Sequence, residues 1–329
     1  MSQTKSVKAT VIIPTKNPGS IFHEVINSVL SQATDFEFDV IVIDSGSESD
    51  FLDSIQSQPV KLIEIEPSSF GHGKTRNLGI ETARSEYVVL ITHDSTPKDD
   101  TWLRNLVNSM DSNPNAAGGF GRHDPYADCD LFTVRNLSNH FEQISKNPIS
   151  KVLDWEEYAH NESLRQRLHF FSNNNSILRK SIWDRIPFPD VEFAEDQQWA
   201  KLVIEAGLST IYISDAVVLH SHNYSVMDNF RRAFDESKSF RKYFGYRLGK
   251  NFLFAMTSTL GLTIIDLKYG LKNIKSAKDL KSILRMPVMN ASRSLGHYFG
   301  TKYDINSTIL AQSFSYDRRL FSGRRKGRV

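Results

Sequence analysis

The sequence predicts an open, largely parallel α/β sheet flanked by helices, followed by a basic, mainly helical extension. Three observations carry this. Apolar β-branched runs alternate with helical periodicities over residues 9–94. Three of those runs stop on polar residues. The charge balance also changes sign toward the C-terminus.

Residues 9–13 (ATVII) form a first strand, closed by Pro14. In SIFHEVINSVLSQA (20–33), Ile21, Val25, Val29 and Leu30 recur near a 3.6-residue period, predicting a helix capped by Ser20. DVIVIDSGS is a second strand ending on Asp44, and KLIEIEP alternates as a third. A helix from Lys74 to Thr82 follows the glycines of FGHGKTRNLG, and YVVLITHD is a fourth strand. Beyond Asp111 a polar, helical stretch (132–168) precedes FFSNNNSILRKSIW. In EDQQWAKLVIEAG, Trp199, Leu202, Val203 and Ala206 share one helical face, with Trp199 read as core and Gly207 as the stop. IYISDAVVLHSHNYS is extended and leads to His220 and His222.

With 329 residues, 40% hydrophobic and 24% charged, the chain has ample core material. Cys129 is the only cysteine, which excludes a disulfide framework and a thiolate zinc cluster and fits a reducing compartment. MSQTKSVKATVIIP lacks the apolar core of a secretory leader, so none is expected. The uncharged run from Phe252 to Ile265 is too short to span a bilayer. From Lys238 onward there are 19 Lys and Arg against four acids, whereas the first 237 residues hold 21 against 34. That basic end suits an anionic partner, a membrane surface or nucleic acid. No recognition-helix or RNA-binding signature is present, so nucleic acid is disfavoured.

In open α/β sheets, ligands sit at the carboxyl ends of the strands. Here those ends carry Pro14-Thr15-Lys16-Asn17, Asp44-Ser45-Gly46-Ser47 and His93-Asp94-Ser95. Two readings of His93-Asp94-Ser95 stand open, a polar turn or a carboxylate that holds a metal ion. DSGS around Asp44 is likewise either a turn or a binding group. Lys74 and Arg76 could meet a diphosphate, but GxxxxGK[ST] is absent, which excludes a P-loop.

Taken in order, VIIPTKN, VIDSGS, FGHGKTRNLG, LITHDSTP, FSNNNSILRKSIW, AEDQQWA and HSHNYS resemble family 2 glycosyltransferases with a GT-A fold, and among them bacterial rhamnosyltransferases, over about residues 9–225. The resemblance implies a catalytic domain over 1–245, with a nucleotide-binding half to about 115 and an acceptor half from about 116, and a basic helical extension over 246–329. It implies an inverting transfer with Asp196 as base. Glu195 is a neighbour that tunes it. Pro14, Thr15, Asp44, Ser45, Lys74, Arg76, Asn77, His93 and Asp94 are the implied contacts to the nucleotide sugar. Arg122, Asn174, Asn175 and Glu195 are assigned to the acceptor or the sugar.

The family usually places two aspartates at the end of the fourth strand. This chain keeps only Asp94, so His222 and His220 are expected to complete the site for Mg²⁺ or Mn²⁺. The missing carboxylate also raises a non-catalytic member as an alternative, against which Asp196 stands. The implied donor is dTDP-L-rhamnose, with a UDP-hexose as the alternative. The implied acceptor is a saccharide, lipid-linked in some members, of O-antigen or capsule synthesis. That expectation puts the protein in the cytoplasm, peripheral at the inner face of a bacterial cytoplasmic membrane. There its basic, aromatic extension would meet anionic headgroups.

Overall fold

A computed structural model describes residues 7–302, 314 and 315. Among these residues the chain folds as two compact units. One holds the residues up to Asp124 together with Asn139–His220; the other holds Pro125–Ser138 and the chain from Ser221 onward.

The first unit opens as the hydrophobic pattern dictates. Strand β1 (Ala9–Thr15), helix α1 (Ile21–Leu30), β2 (Phe38–Asp44), α2 (Ser49–Gln56), β3 (Lys61–Glu64), α3 (His72–Thr82) and β4 (Tyr87–Ile91) follow in order. β1 pairs in parallel with both β2 and β4, and β2 with β3. Every residue of β1 and β4 is buried, which is why these strands read as unbroken apolar runs rather than alternating ones. Helix α1 turns Phe22, Val25, Ile26 and Val29 into the core; Ser20 holds the cap position, but its hydroxyl makes no capping bond. Helix α3 starts at His72, two residues before the sequence-based boundary.

The remaining strands extend the sheet. They are β5 (Thr96–Pro97), β6 (Ala116–Asp124), β7 (Ile149–Ser150), β8 (Asn175–Arg179) and β9 (Ser209–Leu219). The path runs β3-β2-β1-β4-β8-β6-β9-β5, with β7 also paired to β9. β8 lies antiparallel between β4 and β6, so the parallel half is followed by a mixed one. Helices α4 (Trp102–Asp111), α5 (Leu131–Ser145), α6 (Trp155–His160), α7 (Glu162–Leu168), α8 (Lys180–Trp183) and α9 (Glu195–Glu205) complete this part of the chain. The stretch 132–168 is therefore three helices interrupted by β7, and α5 runs through residues of both units. α9 buries Trp199, Ala200, Val203 and Ile204, and Gly207 follows it at φ +79°.

The second unit is built on α10 (Val226–Phe244), α11 (Phe252–Asn273) and α12 (Ala277–Lys302). The longer of its two stretches begins at Ser221. The arginine-rich end RRLFSGRRKGRV lies outside the described residues.

Candidate active site

The carboxyl ends of β1 and β2 are tied together by side chains. Thr15 Oγ1 donates to Asp44 Oδ2 at 3.0 Å, and Ser45 Oγ donates to the Thr15 carbonyl at 3.0 Å. The other Asp44 oxygen accepts from the backbone N–H groups of Gly46 (2.9 Å) and Ser47 (2.8 Å). Asp44 is thus buried and closes its own turn, as the turn reading of DSGS requires.

Helix α3 behaves differently from the expectation of a diphosphate clamp. Gly73 packs against the protein's own loop: a Cβ there would stand 2.3 Å from the Pro189 carbonyl oxygen. Arg76 is buried and pairs with Glu195 Oε1 at 3.0 Å, while also donating to the His72 carbonyl. The Asn77 amide donates to Phe188 O (2.9 Å) and accepts from Trp183 Nε1 (3.0 Å) and Phe188 N (3.2 Å), so it clasps the 183–188 segment. Lys74 alone of the three is exposed.

The Arg76–Glu195 pair explains the carboxylate dyad at the start of α9. The chain enters this helix through Ala194 at φ +59°, a left-handed conformation rare without glycine and costing about 1–3 kcal/mol. Asn173 then braces both acids: its side chain donates to Glu195 Oε1 (3.1 Å) and its backbone N–H to Asp196 Oδ2 (3.2 Å). Gln197 N–H donates to Asp196 Oδ1 at 2.8 Å.

The two neighbours titrate apart. Burial alone would raise Glu195, but Arg76, His72 and Asn173 hold it below the usual carboxylate range. Burial and the adjacent Glu195 charge push Asp196 up to about 7. A carboxylate poised near neutrality is matched to taking a proton from a hydroxyl. Asp196 must be ionised to act as a base, so kcat/KM should fall as pH drops through about 7. In Glu195→Gln the repelling charge is gone and Arg76 favours ionised Asp196, so that limb should move to lower pH. A pH profile of kcat/KM reads the shift; an unmoved limb would mean the pair is not coupled.

The second centre lies at the end of β4. The two-residue strand β5 pairs with the end of β9 (Thr96↔Leu219), which brings Asp94 beside His220. His220 Nδ1 stands 3.4 Å from Asp94 Oδ1 and 3.2 Å from Ser95 Oγ, and its Nε2 meets the Asn174 amide at 3.0 Å. The backbone of His220 donates to Asp124 O, and Asp124 is held by Arg122 Nε and Lys98 Nζ, each at 2.7 Å.

A carboxylate oxygen and an imidazole nitrogen suit a divalent cation. Two ligands about 2.1 Å from one ion at a right angle stand about 3 Å apart, close to the spacing seen. A cation at Nδ1 would displace that nitrogen's proton; Nε2–H would then donate to the Asn174 carbonyl oxygen once the amide is turned over. Asn174 is placed to fix the ring from behind, as partners of metal-bound histidines commonly do. His222 belongs to the other unit. It is exposed, past the end of β9, with its ring 5.2 Å from Tyr224. His93 is half-buried beside Asp94.

Residues 173–175 therefore do three different jobs. Asn173 orients the dyad and Asn174 meets His220. Asn175, fully buried, is spent on the fold: it accepts from Trp102 Nε1 (2.9 Å) and donates to Arg122 O (3.1 Å) and Ala216 O (2.8 Å). Gly121 makes room for it, since a Cβ there would sit 2.2 Å from the Asn175 amide nitrogen. Asn175→Ala should therefore cost about 3 kcal/mol or more through three orphaned buried groups, seen as a lower melting temperature; unchanged stability would contradict this role. The sequence reading passed over Asn173, and also His123, a buried imidazole whose ring lies 5.6 Å from His220. Burial holds His123 well below the ordinary histidine range.

Comparison with known proteins fits this geometry. The O-antigen chain rhamnosyltransferase RfbN of Salmonella typhimurium is 32% identical over 233 residues, 70% of this chain and 71% of that protein. The O-antigen chain rhamnosyltransferase WbaN of Salmonella anatum is 30% identical, over 69% of this chain and 70% of its own. Among solved structures, the mannosyltransferase PcManGT from Pyrobaculum calidifontis, in complex with GDP-Man and Mn²⁺, superposes with a TM-score of 0.53 at 16% identity. That likeness covers 94% of this chain and 79% of that one. S. aureus TarS 1-349 in complex with UDP-GlcNAc gives 0.51 at 16% identity, over 92% and 94%. These likenesses are to the GT-A fold. Residues 10–186 match the profile of glycosyl transferase family 2, and with the rhamnosyltransferase similarity this establishes that the chain belongs to that family.

Proposed function

We propose that the protein is an inverting rhamnosyltransferase that moves L-rhamnose from dTDP-L-rhamnose to a growing bacterial surface polysaccharide. The observation that carries the chemistry is the split dyad: a buried Glu195 kept ionised by Arg76 beside an Asp196 raised to about 7. The similarity to two O-antigen rhamnosyltransferases supports the sugar.

In this reading the acceptor hydroxyl gives its proton to Asp196 as its oxygen bonds to the anomeric carbon. The bond from that carbon to the diphosphate oxygen breaks on the opposite face, and the nucleoside diphosphate leaves. Asn173 and Gln197 aim the Asp196 carboxylate at the hydroxyl. Asp94 and His220, with His222 as a further ligand, would hold a divalent cation, Mg²⁺ or Mn²⁺, which would supply Lewis-acid neutralisation of the leaving diphosphate. Pro14, Thr15, Asp44 and Ser45 serve the nucleotide, and exposed Lys74 supplies charge at the diphosphate. Arg122, half-buried and paired with Asp124, serves the acceptor or the sugar in this reading.

Among the described residues no helix is long and apolar enough to cross a membrane. Work at the inner face of the cytoplasmic membrane, on a lipid-linked acceptor, is the placement we propose. A donor screen tests the function. Consumption of dTDP-L-rhamnose over UDP-glucose and GDP-mannose supports it, and preference for a UDP-hexose overturns the sugar while keeping the fold and base.

A further inference from the structure

In helix α11 the usual amphipathic arrangement is inverted. Its buried positions include Asp266 and Gly270, and Asp266 is paired with Arg135 at 2.6 Å and accepts from the Asn290 amide at 2.8 Å. Its outward positions are apolar: Leu253 is 70% exposed, Leu260 62%, Ile264 53% and Leu271 67%. Met256 lies on the same stripe, since these residues recur at intervals of three, four and seven, one face of an α-helix. Between Phe252 and Leu267 the sequence has a single charged residue, the inward-facing Asp266. A stripe of this kind normally faces a protein core.

Both ends of the stripe are basic. Exposed Arg247 and Lys250 precede it; exposed Lys268, Lys272, Lys275 and Lys278 follow it. Lys268 and Lys272 lie on the flank of the exposed face itself. A helix with leucines outward, cations at both margins and too little apolar length to span is suited to lying in the plane of a bilayer interface. There the leucines enter the acyl boundary and the lysines meet anionic headgroups. A second copy of the chain fits less well. Antiparallel self-pairing would set the Lys250 end of one helix against the Lys268–Lys272 end of the other, like charge on like.

We infer that the outward face of α11 is a docking surface for an anionic lipid bilayer. The inference deepens the peripheral placement proposed above and rests on it for the membrane concerned. The test is flotation of the full-length protein with vesicles of phosphatidylcholine alone or mixed with phosphatidylglycerol. Wild type, Leu260→Glu/Ile264→Glu and Lys268→Ser/Lys272→Ser are compared, with circular dichroism melts showing that each variant is folded. Both changes lie on exposed positions, so the fold should hold.

Wild type should float with the phosphatidylglycerol vesicles. The glutamate pair should lower partitioning about tenfold or more, and the serine pair should weaken it severalfold, with the loss concentrated in the anionic vesicles. If wild type floats and the glutamate pair floats equally, another surface makes the contact: the peripheral placement stands and the α11 assignment falls. If wild type binds neither vesicle, both fall. If sedimentation without lipid shows a dimer that the glutamate pair dissociates, the face is a self-interface and the inference is overturned.

Discussion

Asp196→Asn is expected to lower kcat by about 10²–10⁴-fold while nucleotide-sugar affinity stays within about twofold. The substitution keeps one of the two oxygens that accept from Asn173 N–H and Gln197 N–H and loses the other, so the entry to α9 should persist at a modest cost in stability. It removes the group that takes the proton. It also removes the neighbour that couples to Glu195, but Arg76 still neutralises that acid, so the dyad does not become an unpaired buried charge. Isothermal titration with dTDP, beside steady-state turnover, separates the two effects. Loss of binding equal to the loss of turnover would assign Asp196 to the architecture instead of the chemistry.

Asp94→Asn should cost about 10²–10³-fold in kcat/KM, the size seen when one group stabilising a leaving or developing oxyanion is removed. Chelation of the wild-type protein should produce a loss of the same order, reversed by Mg²⁺ or Mn²⁺. The two losses should not multiply, because both remove the same cation. His220→Gln should follow them, more weakly. Activity that survives both chelation and Asp94→Asn would reduce His93-Asp94-Ser95 to a turn and leave the diphosphate to Lys74.

Much of this was legible in the sequence, and the reasons differ by element. β1, β2 and β4 were readable because strands buried on both faces must be apolar throughout, and their ends were readable because polar residues stop such runs. The acidic pair at α9 announced itself by its place before a periodic helix. What the sequence could not show was how long-range packing spends polar groups. Arg76 and Asn77 carry the right chemistry for a diphosphate, but they are committed to Glu195 and to the 183–188 segment. Those partners lie about a hundred residues further along the chain and leave no local trace.

The Asn173–Asn175 run poses the same difficulty in miniature. Three identical side chains at the entry to β8 go to the dyad, to His220 and into the core, and only the backbone direction at each position separates them. The pairing of β5 with β9 was also invisible, because two residues give no periodicity. That pairing sets Asp94 beside His220 and gives the lone carboxylate an imidazole neighbour. Helix α11 shows the same limit. Its apolar residues look like core material in the sequence, and only their exposure shows that they face outward.

The measurement that tests the account most directly is the anomeric configuration of the first-formed product, read by proton NMR before any equilibration. A single displacement with Asp196 as base predicts a product inverted relative to the dTDP-L-rhamnose donor. Retention would require a covalent or front-face route, and would contradict the assignment of Asp196 as the base of a direct transfer.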